Sequence, residues 1–306
     1  MTSSPHLHWG AEALWESLLP LLPGVSVEVL PRCESTNTKL LERARAFSGD
    51  RDAPVTRPGD LDGNPRNERT PHGRRSGDAS PCLLVAEQQT RGRGRLGRDW
   101  VSEAGASLTF SLSLPMAPAQ WGGLSLAVGL AIAEALDPQP VDAASPHRVG
   151  LKWPNDLWLL DGPGRGRKLG GILIETVSVG EQRMVVVGVG LNIAPQQSAA
   201  AAGLSHGYAC LQELAAHFTA PHALACVAVP LVRALKAFER DGFAPLVPAY
   251  TRRDLLLGQA VSSSGGTDTL QGTAQGVDAQ GALLLDSGGL HRVLSGEVSV
   301  RLTPSA

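Results

Sequence analysis

Four strand-like segments crowd between residues 149 and 193, and this spacing constrains the fold more than any other feature. Residues 149–153, 156–160, 169–177 and 183–193 are rich in Val, Ile and Leu and are joined by short, Gly-rich turns. Parallel neighbours need a crossover of a dozen or more residues, usually a helix, so connections this short favour antiparallel pairing. Upstream, "SLTFSLSLP" (107–115) alternates at period two, which predicts a strand with one buried face. "VSVEVL" (25–30) and "CLLVAE" (82–87) add two further strands. Helices are expected at 12–22, at 38–47 behind the capping residues of "STNT", and at 121–136, where a nearly all-apolar run implies burial. Others are expected at about 209–216 and 223–238, with a shorter one near 245–257. From Gly258 onward the pattern changes to short strands with turn residues between them, a small all-β module. The expectation is an α+β fold with a β-barrel-like tail, divided into residues 1–257 and 258–306.

Residues 48–81 interrupt this plan. Their only apolar side chains outside proline are Ala53, Val55, Leu61 and Ala79, too few to offset ordering entropy, so the stretch reads as a disordered insertion. The rest of the chain is ordinary: 306 residues, 42% hydrophobic, with 27 basic against 29 acidic residues. That balance argues against a general nucleic-acid or membrane-surface binder. Cys33, Cys82, Cys210 and Cys226 are scattered, so reduced thiols are expected rather than a zinc ribbon or redox pair. The chain shows no signal-peptide pattern, and its longest apolar run, 223–235, reads as too short and interrupted to span a bilayer. A cytoplasmic location with no membrane partner follows as the expectation.

Four stretches carry candidate chemistry. "RGRGRLGRDW" (91–100) packs four arginines and three glycines into ten residues. Glycine lets a backbone approach a ligand and move, while guanidinium makes bidentate contacts with phosphate or carboxylate. Such a segment suits an anion that is enclosed and later released; a solvated basic loop is the plain alternative. It is no P-loop, because the Gly-Lys-Ser/Thr ending is missing. "LKWPNDLW" (151–158) places Asn155 and Asp156 in a turn between strands, where two oxygen donors could hold magnesium or form an ordinary turn. "GRGRKLGGILIE" (164–175) puts Lys168 at a strand start beside Gly170 and Gly171, and "VVVGVGLNI" (185–193) ends a buried strand in Asn192. Taken singly, a solvated lysine and a turn-forming asparagine are the plainer readings.

Taken together, "ESTNT" (34–38), "AEQQTRGRGRLGRDW" (86–100), "KWPNDLW" (152–158), "RKLGGILIE" (167–175), "GVGLNI" (188–193) and the 281–301 segment resemble the biotin–protein ligases in order and context. The resemblance covers about residues 25–302, apart from 48–81. It implies a catalytic domain like that of class II aminoacyl-tRNA synthetases, with a mixed, mainly antiparallel sheet, followed by an SH3-like β-barrel. It also implies two half-reactions: ATP-dependent activation of biotin to biotinyl-5′-AMP, then transfer of biotin to a lysine of the biotin carboxyl carrier domain of a carboxylase.

By this resemblance Ser35, Thr36, Asn37 and Gln89 would bind biotin, with Arg93, Gly94, Arg95 and Lys168 beside them. Arg95, Arg98, Trp100, Lys168 and Asn192 would bind ATP, and Asn155 and Asp156 would hold Mg2+. Lys168 and Arg95 would be catalytic, with Lys168 bridging the two anions that must be forced together. The arginine loop would be a lid that orders over the adenylate and keeps water out. Some relatives also carry an N-terminal DNA-binding domain. Only 33 residues precede Glu34 here, so DNA binding is not expected. A homodimer through the edge of the central sheet stays open on this reading. The competing readings are a lipoate or octanoate ligase and a biotin-binding regulator without catalysis.

Overall fold

The computed structural model describes residues 7–49, 79–138, 148–162, 164–196, 207–265, 268–294 and 299–302. Most of the expected insertion, residues 50–78, lies outside them. The elements run α1 (Ala11–Leu18), β1 (Ser26–Cys33), α2 (Thr36–Gly49), β2 (Cys82–Gln89), β3 (Gly92–Arg93), β4 (Asp99–Trp100), β5 (Ser107–Pro115) and α3 (Leu124–Leu136). They continue with β6 (Val149–Lys152), β7 (Asp156–Gly162), β8 (Arg165–Val179), β9 (Gln182–Asn192), α4 (Leu211–Leu214), α5 (Ala220–Asp241) and α6 (Val247–Thr251). Five short strands close the chain: β10 (Ala260–Gly265), β11 (Asp268–Val277), β12 (Leu283–Asp286), β13 (Leu290–Val293) and β14 (Ser299–Leu302).

The main sheet has seven strands in the order β1-β2-β5-β9-β8-β7-β6. Its β6–β9 portion is the antiparallel meander that the short connections require. Only β1 and β2 pair in parallel, and α2 supplies their crossover. Helices α1, α3 and α5 cover one face and contribute Leu18, Ile132, Leu231 and Phe238 to the main core. Helix α2 covers part of the other face through Leu40 and Leu41 against Leu84 and Val186.

Several expectations change in detail. Strand β5 lies between β2 and β9, and every residue from Ser107 to Leu114 is buried, not one face alone. Its hydroxyl face is buried because it is hydrogen-bonded: Thr109 Oγ1 donates to the Ala86 carbonyl at 2.8 Å, for example. Helix α5 runs 22 residues rather than about 16, starting behind the Thr219 cap. By length and composition it is apolar enough to cross a membrane, contrary to the reading of 223–235. Its Leu224, Val227, Leu231 and Leu235 are nevertheless part of the main core, packed on α3. The helices expected at 209–216 and 245–257 shrink to α4 and α6.

The second sheet has the order β13-β12-β11-β10-β14, antiparallel throughout. Its Val261, Ala274, Leu283 and Leu285 belong to the same core cluster as the main sheet. Two close contacts seal the junction. The Trp153 indole, 1% exposed, donates to the Gly281 carbonyl at 3.0 Å. Gly281 (φ 75°) lies against Gly123, and a side chain at either glycine would collide with its neighbours.

Candidate functional site

A cavity of about 350 Å³ opens on the α2 face of the main sheet. All thirteen residues expected at the site line it: Ser35, Thr36, Asn37, Gln89, Arg93, Gly94, Arg95, Arg98, Trp100, Asn155, Asp156, Lys168 and Asn192. The chain collects them from four places in the sequence. Ser35 precedes α2 while Thr36 and Asn37 begin it, Gln89 ends β2, the arginines and Trp100 span β3 to β4, and the rest come from the turn before β7 and from β7 to β9.

One end of the cavity is uncharged and buried. Ser35, Thr36 and Asn37 are 3–4% exposed. Gln89 Oε1 accepts the Thr36 backbone N–H at 2.7 Å, and Ser102 clamps the Gln89 backbone from behind. The Asn37 amide nitrogen donates to the Leu173 carbonyl at 3.1 Å and to Glu175 Oε2 at 2.9 Å. Ser111, from the hydroxyl face of β5, approaches both Thr36 and Asn37 at 2.6 Å. Gly188 on β9 makes this possible, because a Cβ there would fall on the Asn37 amide.

The other end is charged. Lys168 Nζ pairs with Asp156 Oδ1 at 2.8 Å, both partly exposed. The register of β7 against β8 sets them side by side, since Asp156 pairs Gly171 and Trp158 pairs Lys168 across an irregularity. Arg95 donates to Asn155 Oδ1 at 3.3 Å, and Asn155 Nδ2 donates to the Ile172 carbonyl at 2.8 Å. Burial lowers Arg95 from its ordinary pKa, while the Asp156 carboxylate acts in the opposite direction. Asn192 spends its amide N–H groups on the carbonyls of Lys168 (3.2 Å) and Ala209 (3.0 Å). Only its oxygen is left to meet a ligand; its visible work is to hold the Lys168 backbone.

Asn155 and Asp156 supply one amide and one carboxylate oxygen. Among the described residues, no group of three or more His, Cys, Asp or Glu gathers to hold a metal. This donor set therefore fits Mg2+ bound mainly through phosphate and water, not a closed protein cage.

The arginine segment, read from sequence as a loop, makes a short hairpin, with Gly92 opposite Trp100 and Arg93 opposite Asp99. At its tip Leu96 adopts φ 56° and is 50% exposed, a conformation that costs a non-glycine residue about 1 kcal/mol or more. Arg93 reaches down to Glu175 at 2.7 Å. The Trp100 indole packs over Gly190, where any Cβ would strike the ring, and its buried N–H has no hydrogen-bond partner.

Sequence reasoning missed Ser111, Glu175 and Tyr208. Tyr208 lines the cavity, and its hydroxyl donates to the Ala194 carbonyl at 2.6 Å. The glycines of "GVG" were the available signal for close packing at Asn37 and Trp100; nothing local marked Ser111.

Comparison with known proteins agrees with this architecture. Residues 72–192 match the Biotin/lipoate A/B protein ligase family, and residues 256–301 match the Biotin protein ligase C terminal domain. The chain is 34% identical over 290 residues to the bifunctional ligase/repressor BirA of Escherichia coli, covering 94% of this chain and 77% of that protein. It is 36% identical over 279 residues to the biotin–[acetyl-CoA-carboxylase] ligase of Mycobacterium tuberculosis, covering 88% and 86%. A biotin protein ligase from Aquifex aeolicus, solved in complex with biotin and ATP, shares the fold with a TM-score of 0.64 at 24% identity, covering 90% of this chain and 99% of that one. With its sheet, its C-terminal barrel and its match to these relatives, the chain belongs to the biotin protein ligase family and is a ligase.

Proposed function

We propose that this protein activates biotin with ATP to biotinyl-5′-AMP and then transfers biotin to a lysine of the carrier domain of a biotin-dependent carboxylase. One observation carries the reading: a single cavity joins a buried, uncharged, hydrogen-bonding end to an end lined by Lys168, Arg95 and Asp156. The first end suits a neutral cyclic urea, which needs both donors and acceptors. The second suits a carboxylate and a triphosphate that would otherwise repel each other. The names of the relatives support the substrate and the carrier, since one is a biotin–[acetyl-CoA-carboxylase] ligase and one was solved with biotin and ATP.

In the first half-reaction the biotin carboxylate attacks the α-phosphate and pyrophosphate leaves. Lys168 lies between these groups and exchanges Asp156 for them, opposing the charge that builds in the transition state. Arg95 and Arg98 engage phosphate oxygens, Trp100 stacks near the adenine, and the Asn192 oxygen accepts from the base. Asn155 and Asp156 would hold Mg2+, which would neutralise phosphate charge. Arg93 and Gly94 close over the acyl group and limit hydrolysis. In the second half-reaction the carrier lysine attacks the mixed anhydride and AMP leaves. We assign these steps to residues 1–257, with residues 258–306 as the C-terminal barrel.

The test is ATP–pyrophosphate exchange with biotin, lipoate or octanoate supplied separately. Exchange with biotin alone is expected. Exchange with lipoate or octanoate would move the chain to another acid, and none with any acid would leave a binding protein.

A further inference from the structure

Ser111 lies in the middle of β5, fully buried, behind the cavity wall rather than in it. Its hydroxyl oxygen is 2.6 Å from Thr36 Oγ1 and 2.6 Å from Asn37 Oδ1. A hydroxyl has one proton, so Ser111 cannot donate to both. The Asn37 amide decides between them. Its nitrogen faces the Leu173 carbonyl and the Glu175 carboxylate, the latter paired with Arg93, and both accept. Asn37 Oδ1 therefore faces Ser111, and it can only accept. The Ser111 proton goes to Asn37, and the contact with Thr36 then requires the Thr36 hydroxyl to donate to Ser111.

That assignment fixes what the cavity presents. With its proton committed, Thr36 Oγ1 offers only lone pairs. Its 3.2 Å approach to Gln89 Oε1 is the longer alternative, and that oxygen already accepts the Thr36 backbone N–H at 2.7 Å. Since its oxygen is turned to Thr36, Gln89 keeps its amide nitrogen for donation.

We propose that Ser111 is a positioning residue that sets a one-way hydrogen-bond relay, Thr36 to Ser111 to Asn37 to Glu175, and so makes the Thr36 hydroxyl an acceptor for a ring N–H of the substrate. The inference rests on the biotin reading above and deepens it. The site meets a cyclic urea with an acceptor for N–H and a donor for C=O. A ring carrying an ether oxygen or an N-alkyl group in place of that N–H finds a lone pair facing it, or a clash.

The experiment is steady-state ATP–pyrophosphate exchange for the intact protein, Ser111→Ala, Ser111→Cys and Ser113→Ala, with thermal melting to establish folding. Ser113 is buried on the same face of β5 and takes no part in the relay. Ser111→Ala is expected to raise the KM for biotin about tenfold or more, while the KM for ATP and kcat at saturating biotin stay within about threefold. Ser111→Cys keeps a weaker donor and falls between, and it serves as the test if the alanine variant does not fold. Ser113→Ala leaves all three parameters unchanged. An unchanged biotin KM in Ser111→Ala, equal changes in all three parameters, or the same effect from Ser113→Ala would overturn the relay while leaving the biotin reading intact. Absence of biotin-dependent exchange in the unsubstituted protein would instead remove the reading on which the relay rests.

Discussion

The floor and the lid of this cavity are made in opposite ways. The floor residues Thr36, Asn37 and Asn192 are at most 5% exposed, and protein partners fix their side chains. The lid is a hairpin of two-residue strands whose tip, Leu96, is half exposed and in a left-handed conformation. The floor is pre-built and loses little entropy when a ligand arrives, so it suits discrimination. The lid is a separate two-stranded ribbon held to the cavity by side-chain contacts such as Arg93–Glu175, so on the proposed function it suits admission and protection. On the proposed function, chemistry falls where they meet, at the Lys168–Asp156 pair.

The sharpest way to break this division is at that meeting point. Lys168→Ala is expected to lower kcat for adenylate formation by about a hundredfold to a thousandfold, with melting temperature near normal; near-normal turnover would defeat the bridging role. A floor variant comes next. Gly188→Ala drives a methyl group into the Asn37 amide and is expected to raise the biotin KM about tenfold with little change in the KM for ATP. A matching rise for ATP would mean that floor and lid are not separable. For the lid, Gly92→Ala places a methyl on the Trp100 carbonyl across the hairpin. The expected outcome is leakage: severalfold more AMP released per biotin transferred, read in the presence and absence of carrier.

The smallest effect lies outside both halves. Burial pushes the Asp254 carboxyl up to about 6. The fold therefore favours its neutral form, and this contribution is fully present below the ordinary carboxylate pKa near 3.9 and lost as pH rises through about 6. Melting temperature is expected to fall by a few degrees between pH 5 and pH 7.5, and Asp254→Asn should flatten that slope. The pH profile of exchange should not follow it; if it did, the junction beside α6 would be coupled to the chemistry.

Much of this arrangement was legible in the sequence, and for identifiable reasons. The meander of β6–β9 follows from connections too short for crossovers. The residues that line the cavity were named through the resemblance that runs such as "RGRGRLGRDW" and "KWPND" carry in combination, since each run alone allowed a plain reading. Ser111 was not, since a serine on an alternating strand reads as solvent-facing, and only the position of β5 between β2 and β9 buries it. Glu175 was hidden likewise, as its role depends on Arg93 and Asn37, far off in sequence but adjacent across the cavity. The hairpin in the arginine segment was obscured because glycine and arginine have low strand propensity, and the pairing comes from the wall beneath it.

The bond from Trp153 to Gly281 bears on how the molecule could be divided. Trp153 begins the turn that carries Asn155 and Asp156, so that corner of the cavity is moored to the small C-terminal sheet. Cutting the chain after residue 257 would do more than remove an appendage. It would bare the indole, unpack Gly123 at the start of α3, and let the Asn155–Asp156 turn drift from Lys168. The small barrel thus braces from below the turn that enters the cavity, and the seven-stranded sheet does not complete its core alone.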